Sequence, residues 1–124
     1  AQLQGEGWNV IGFEPHLLQS SSEFLITDRN VLSTKKFDGI FSNNLLEHLQ
    51  YPIDELIYIK SLLKPEARMA HATPCYEYLY EYTRFHLFFF LGKSKEVLAS
   101  KAGLIIEKYE KDGEFMNCIF RSIK

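Results

Sequence analysis

The chain has 124 residues and a formal net charge of −2, and 46% of its residues are apolar while 24% are charged. This composition is typical of one globular domain, so we expect a single domain over residues 1–124. Ten Phe, seven Tyr and one Trp exclude a disordered chain. The slightly acidic charge balance gives no reason to expect a nucleic-acid partner.

Membrane, secreted and metal-binding classes are also disfavoured. The longest uncharged apolar run covers residues 87–92, whereas crossing a bilayer requires roughly 20 residues. The sequence does not open on a basic segment followed by an apolar stretch, which a secretory signal would need. Two cysteines without zinc spacing suit neither a disulfide framework nor a metal site. We therefore expect a cytoplasmic protein with no membrane partner and no metal.

The first half of the chain shows strand signals separated by polar segments. The apolar run at residues 8–13 (WNVIGF), ended by Glu14 and Pro15, predicts a buried strand. A short helix over residues 15–22 and a second strand over 24–26 follow, and a polar turn at 27–30 closes that strand. Residues 37–42 predict a third strand, which leads into Asn43 and Asn44.

The second half begins with a helix starting at Pro52, whose apolar residues recur every three or four positions, at Ile53, Leu56, Ile59 and Leu63. A strand is predicted at 68–73, and Cys118 is expected in the core. A second helix over 95–102 has Ser94 as its cap and Gly103 as its stop. Strands at 104–109 and 115–119, joined by an Asp-Gly turn, predict an antiparallel hairpin.

Alternating strands and helices predict an α/β fold, with a mostly parallel sheet, helices on both faces and a C-terminal antiparallel hairpin. Glu14 is the first candidate for chemistry. A carboxylate at the carboxyl end of a parallel strand can accept hydrogen bonds from both ribose hydroxyls of a nucleotide-like cofactor. A solvated acid before a turn is the alternative.

The segment FDGIFSNNLLEHL at residues 37–49 leads to a family resemblance. Together with Pro52, the LLKP sequence at 62–65 and a strand ending in Pro74, it resembles class I S-adenosylmethionine-dependent methyltransferases of the type 11 and type 23 groups. Residues 12–15 (GFEP) are similar to the family's second strand, and residues 86–103 resemble the stretch after its fifth strand. The likeness covers about residues 7–109 and implies a Rossmann-like fold.

The resemblance implies S-adenosyl-L-methionine as the cofactor and assigns roles to several residues. Glu14 would bind the ribose, Asp28 would face the adenine amine, and Asn43 would lie beside the methionine moiety. His48 would lie on the substrate side, where it positions a nucleophile or acts as a base. Local packing at the start of a helix is the alternative for His48.

An aromatic segment, CYEYLYEYTRFHLFFF at residues 75–90, is the most unusual part of the sequence. In the resembled family this region shapes the acceptor pocket, so Tyr76, Tyr80 and His86 are candidates for binding the substrate. Tyr and Phe supply large contact areas at modest entropic cost. An amphipathic element covering the sheet is an equal alternative, and the same surface could support a homo-oligomer.

The sequence departs from the family in lacking the first strand and the glycine-rich loop that cradles the cofactor. We expect the chain to be the C-terminal portion of the family fold, truncated at its N-terminus. In the family strand order 3-2-1-4-5-7-6 the missing strand is the central one. The strands at 8–13 and 37–42 would then pair directly, accept another chain between them, or belong to an incomplete fragment.

Methyl transfer to a small-molecule or other acceptor is the leading functional prediction. A non-catalytic scaffold or interaction module that no longer binds cofactor is the alternative, because the glycine-rich loop is missing. A nicotinamide-dependent oxidoreductase would also use an acid after the second strand, but it needs the same loop and has no use for LLEHL.

Overall fold

The computed structural model of the protein describes residues 5–14, 24–74, 93–112 and 115–123. Two compact units divide the chain, one over Ala1–Lys36 and the other over Phe37–Lys124. No helix in the described ranges is both long enough and apolar enough to cross a membrane.

The first unit contains a short parallel strand pair. Strand β1 (Gly12–Phe13) pairs with β2 (Leu25–Ile26), with Gly12 opposite Leu25. The predicted strand at 8–13 is therefore wrong over its first four residues. Trp8 is 65% exposed, and among the described residues of the run the strand pairing covers Gly12 and Phe13. The predicted helix at 15–22 lies outside the described residues.

The polar segment after β2 is the start of a short helix, α1 (Arg29–Leu32), where the sequence predicted a turn. Asp28 is its N-cap, and its carboxylate accepts a hydrogen bond of 2.8 Å from the backbone N–H of Asn30. This bond satisfies one of the donors that the first turn of a helix leaves unpaired, which explains why the chain turns into a helix at this point.

The second unit is built on a four-stranded sheet in the order β3-β4-β6-β5. Strand β3 (Phe37–Asn43) runs parallel to β4 (Leu63–Pro74), and β6 (Phe115–Ser122) runs antiparallel to both β4 and β5 (Leu104–Asp112). The α/β fold and its closing antiparallel hairpin are confirmed.

Helix α2 (Pro52–Ser61) confirms the helix predicted from apolar spacing. Pro52 stands in its first turn with Asp54 and Glu55, where acidic side chains favour the positive end of the helix dipole. The inward-facing Leu56 and Ile59 are buried. The helix ends at Ser61, before Pro65, because the chain enters β4 at Leu63.

Helix α3 (Ser94–Lys101) begins one residue earlier than the sequence predicted. Lys93 is therefore the N-cap, and Ser94 Oγ is buried with no hydrogen-bond partner among the described residues, so the predicted Ser94 cap is wrong. The predicted glycine stop is confirmed, since Gly103 follows the helix with a φ of +71°. The ammonium group of Lys60 on α2 donates to the Ala102 carbonyl at 2.9 Å, which satisfies a carbonyl at the C-terminus of α3.

The core of the second unit joins both helices to one face of the sheet. Cys118 is buried in this core, as predicted. Its buried members come from α2, α3 and three strands together with the segments next to them: Leu46, Leu56, Ile59, Met69, Leu98, Ala99, Ala102, Leu104, Met116, Cys118 and Phe120. Packing of this kind fixes β3 and β4, and it therefore fixes the loops that leave their carboxyl ends.

Candidate functional site

Two predicted cofactor-binding acids follow the strands of the first unit. Glu14 comes directly after β1 and its backbone N–H donates to the Ile26 carbonyl at 3.0 Å. Asp28 comes two residues after β2. Because β1 and β2 are parallel neighbours, both acids lie at the same carboxyl edge, which is the edge where open α/β sheets bind ligands.

The two acids differ in their surroundings. Glu14 is half-buried and Asp28 is exposed. The Asp28 carboxylate already caps α1 through Asn30, a structural role that the sequence analysis missed. A carboxylate offers about four acceptor sites, so this bond leaves Asp28 able to accept from a ligand.

In the second unit the chain leaves β3 through two asparagines. Asn43 ends the strand and is exposed. Asn44 has a φ of 56°, in the left-handed region that Asn tolerates better than most residues, and its N–H donates to the Ala72 carbonyl at 3.0 Å. Asn44 follows the last residue of the strand and directs the chain into a 3₁₀ turn over Leu46–His48.

In the 3₁₀ turn, the side chains of the LLEHL segment differ in how far they are buried. Leu46 and Glu47 are each 1% exposed, whereas the His48 side chain is 42% exposed. Leu46 packs in the core and anchors the turn. A buried glutamate next to a half-exposed histidine was not anticipated from the sequence.

Glu47 belongs to a polar cluster at the carboxyl ends of β3 and β4, formed with the buried His71 and Thr73 and the partly buried Ser42. Thr73 Oγ1 donates to Glu47 Oε2 at 2.6 Å. Ser42 Oγ lies 2.6 Å from His71 Nδ1, in keeping with the register that pairs these residues. His71 and Thr73 lie two residues apart on β4, so they share the face of the sheet that the core covers.

Burial controls the charge of this cluster. It lowers the pKa of His71 from 6.5 to about 4, so the imidazole is neutral at pH 7. His71 Nε2 and Glu47 Oε1 are both buried, and neither has a hydrogen-bond partner among the residues that the structure describes. Glu47 Oε1 lies 3.6 Å from Nε2 of His48. The cluster thus holds one neutral ring and one carboxylate that faces a second imidazole.

The structure groups the predicted residues by unit. Glu14 and Asp28 share the carboxyl edge of the first unit, and Asn43 and His48 flank the turn after β3 in the second. The predicted acceptor-binding residues lie outside the described part of the chain: Tyr76, Tyr80 and His86.

Glu47, His71 and Thr73 are the polar residues of the site region that sequence reasoning did not select. His71 and Thr73 alternate with Ala70 and Ala72 along a predicted strand. That two-residue period is the signal that could have placed them together on one face.

A family model described as a methyltransferase domain matches residues 1–109. The chain belongs to this methyltransferase family. The match covers the first unit and the second unit as far as residue 109. A comparison with curated proteins finds no match.

Several solved structures share the fold of this domain. The mitomycin 7-O-methyltransferase MmcR is 15% identical with a TM-score of 0.61, covering 82% of this chain and 34% of that one. LaPhzM is 13% identical with a TM-score of 0.63, covering 92% and 42%. CalO1, a methyltransferase of calicheamicin biosynthesis solved with S-adenosylhomocysteine, is 9% identical with a TM-score of 0.56, covering 87% and 38%. The chain thus spans less than half the length of each.

Proposed function

We propose that this methyltransferase domain takes part in S-adenosylmethionine-dependent methyl transfer, with Glu14 as the acid that binds the cofactor ribose. The observation that carries the proposal is the position of Glu14 and Asp28 at one carboxyl edge of the parallel pair β1–β2. The family match and the S-adenosylhomocysteine-bound structural neighbour support the choice of cofactor.

The chemistry of these two acids fits the nucleoside part of the cofactor. A ribose offers two neighbouring hydroxyl donors, and the two oxygens of one carboxylate can accept from both. The adenine amine is also a donor, and the Asp28 carboxylate keeps acceptor sites beyond its bond to Asn30. When bound, S-adenosylmethionine would supply an activated methyl group on a sulfonium sulfur.

In the loop after β3, Asn43 would lie beside the methionine moiety of the cofactor and His48 on the acceptor side. The exposed amide of Asn43 is able to donate to and accept from a bound ligand. The half-exposed imidazole of His48 is able to take the proton that the acceptor loses. The remaining contribution of the protein would be to orient the acceptor and to exclude water.

A non-catalytic scaffold is the second candidate function. It is favoured by the use of Asp28 as a helix cap, since this role stabilises the fold without any cofactor. In that case Asp28 would serve only α1, and the domain would present its surface to a protein partner.

Calorimetric titration of the chain with S-adenosylhomocysteine separates the two candidates. The test variant is Glu14→Gln, which keeps the size of the side chain and removes its charge. Glu6→Gln is the matched control, because Glu6 is an exposed acid of the same unit that lies before β1. Hydrogen bonds to a charged group contribute about 1.5–3 kcal/mol, so Glu14→Gln should weaken binding by about 10- to 100-fold.

The proposed function predicts saturable one-to-one binding that Glu14→Gln weakens and Glu6→Gln leaves within twofold. Equal binding by both variants would exclude Glu14 as the ribose acid. Absence of binding by the folded chain would overturn the proposed cofactor site and favour the scaffold.

A further inference from the structure

Glu47 is a carboxylate at a position where burial is costly. It is 1% exposed, and burying a charged group is unfavourable unless hydrogen bonds or an opposite charge compensate. A leucine at this position would pack beside Leu46 without that cost. The retention of an acid in the core therefore needs an explanation beyond packing.

The two oxygens of Glu47 have different surroundings. Oε2 accepts a 2.6 Å hydrogen bond from Thr73, whose side chain is fully buried. Oε1 is buried without a hydrogen-bond partner among the described residues and lies 3.6 Å from Nε2 of His48. One oxygen thus ties the turn to β4, and the other faces the neighbouring imidazole.

The backbone holds both residues in a fixed turn. The N–H of His48 donates to the Leu45 carbonyl at 3.0 Å, and the N–H of Leu49 donates to the Leu46 carbonyl at 3.3 Å. Because the turn and the Thr73 hydrogen bond fix the carboxylate, Oε1 lies beside the His48 ring, 3.6 Å from Nε2.

We propose that Glu47 is a positioning residue that acts through His48. Thr73 fixes the carboxylate, and the carboxylate holds the His48 ring as the tautomer with its proton on Nε2. Nδ1 then carries the lone pair that takes a proton. The assignment of that proton to a methyl acceptor rests on the proposed function.

The chemical step balances with these groups. The X–H bond of the acceptor breaks and its proton moves to Nδ1 of His48. The electron pair of X forms the bond to the methyl carbon, while the bond from that carbon to sulfur breaks and leaves its electron pair on sulfur. The positive charge of the sulfonium thereby passes to the imidazole, where the Glu47 carboxylate stabilises it.

Nitrogen NMR of the His48 ring tests the positioning role without any cofactor. Spectra are recorded at a pH where the ring is neutral, and His48→Asn assigns the signals. We expect the Nε2–H tautomer in the wild-type chain. Glu47→Met, which keeps the length of the side chain and removes both oxygens, should raise the Nδ1–H fraction at least twofold.

A matched pair at position 73 guards against a failure of Glu47→Met to fold. Thr73→Val removes the hydroxyl and keeps the shape, so it should raise the Nδ1–H fraction. Thr73→Ser keeps the hydroxyl and should retain the wild-type ratio. Equal tautomer ratios in the wild type, Glu47→Met and Thr73→Val would overturn the proposal, as would a change in Thr73→Ser equal to that in Thr73→Val.

Titration of the same variants with S-adenosylhomocysteine separates this proposal from the proposed function. Because His48 acts on the acceptor, Glu47→Met should leave cofactor affinity within twofold of the wild type. A tenfold loss would overturn the assignment of Glu47 to the acceptor side. If the wild-type chain binds no cofactor, the proposed function fails, whereas the tautomer result still decides whether Glu47 positions His48.

Discussion

Acidification should destabilise the second unit through His71, the buried imidazole on β4. Burial lowers its pKa from 6.5 to about 4 in the folded chain, whereas the unfolded chain exposes the ring to water. The unfolded state therefore binds more protons between these two pH values. The contribution of His71 to folding stability is fully present above pH 6.5 and is lost as the pH falls below that value. No further loss from His71 occurs below about pH 4.

The size of the loss follows from the pKa difference. Each unit corresponds to 1.36 kcal/mol, so the change from 6.5 to about 4 amounts to about 3 kcal/mol. Urea unfolding at a series of pH values between 7.5 and 4 measures this loss directly. Carboxylates also titrate in this pH range. The part of the stability loss that is due to His71 is therefore obtained by comparison with the variant His71→Asn.

His71→Asn removes the titrating ring and keeps an amide that can bond to Ser42. Its free energy of unfolding should fall by about 3 kcal/mol less than that of the wild type over the same range. Ser42→Ala removes the hydrogen bond to Nδ1 but keeps the ring, so it should retain the steep dependence on pH. Parallel curves for the wild type and His71→Asn would refute the argument that a buried neutral imidazole controls acid stability.

Four substitutions test the packing and backbone of the second unit by urea unfolding. Glu66 has a φ of +69°, so replacing it with Gly should raise the free energy of unfolding by about 0.5–1 kcal/mol. A lower free energy of unfolding would contradict the backbone strain assigned to Glu66. Gly103→Ala should lower the free energy of unfolding by about 1–2 kcal/mol, because φ is +71° and the new Cβ would come within 2.7 Å of the Lys60 ammonium group. An unchanged urea midpoint would contradict this prediction. Leu56→Ala should lower the free energy of unfolding by about 2–5 kcal/mol, whereas Ile57→Ala on the exposed face of the same helix should lower it by less than about 1 kcal/mol. Equal losses would contradict the burial of Leu56 in the core.

Regular spacing made the second unit predictable from sequence. Leu56 and Ile59 recur at helical spacing, and helix α2 forms with those residues inward. The Asp-Gly signal at 112–113 separates two β-rich runs that pair as β5 and β6. These signals are local, so they did not depend on knowing what covers each face.

Features that depend on tertiary partners were not predictable in the same way. The run containing Trp8 looked like a buried strand, yet among its described residues the strand β1 covers Gly12 and Phe13 alone. Ser94 looked like a helix cap, but α3 begins at that residue and leaves its hydroxyl without the capping role.

The residues of the candidate site also divide into those that the sequence indicated and those whose surroundings depend on tertiary contacts. Glu14 was selected because it follows a predicted strand and Asn43 because of the family resemblance, and the structure places both directly at strand ends. Their roles in binding remain predictions. Glu47 received no role in the sequence analysis. Its burial depends on Thr73, which lies 26 positions away in sequence, and a single sequence contains no sign of that contact.

The most direct test of the account is to observe which backbone amides respond when S-adenosylhomocysteine is added to the isotope-labelled chain. The account predicts saturable shifts at Phe13, Glu14 and Asp28, at the carboxyl edge of β1 and β2, and their loss in Glu14→Gln. Shifts confined to other parts of the chain, or an unchanged spectrum at millimolar ligand, would contradict the placement of the cofactor at this edge.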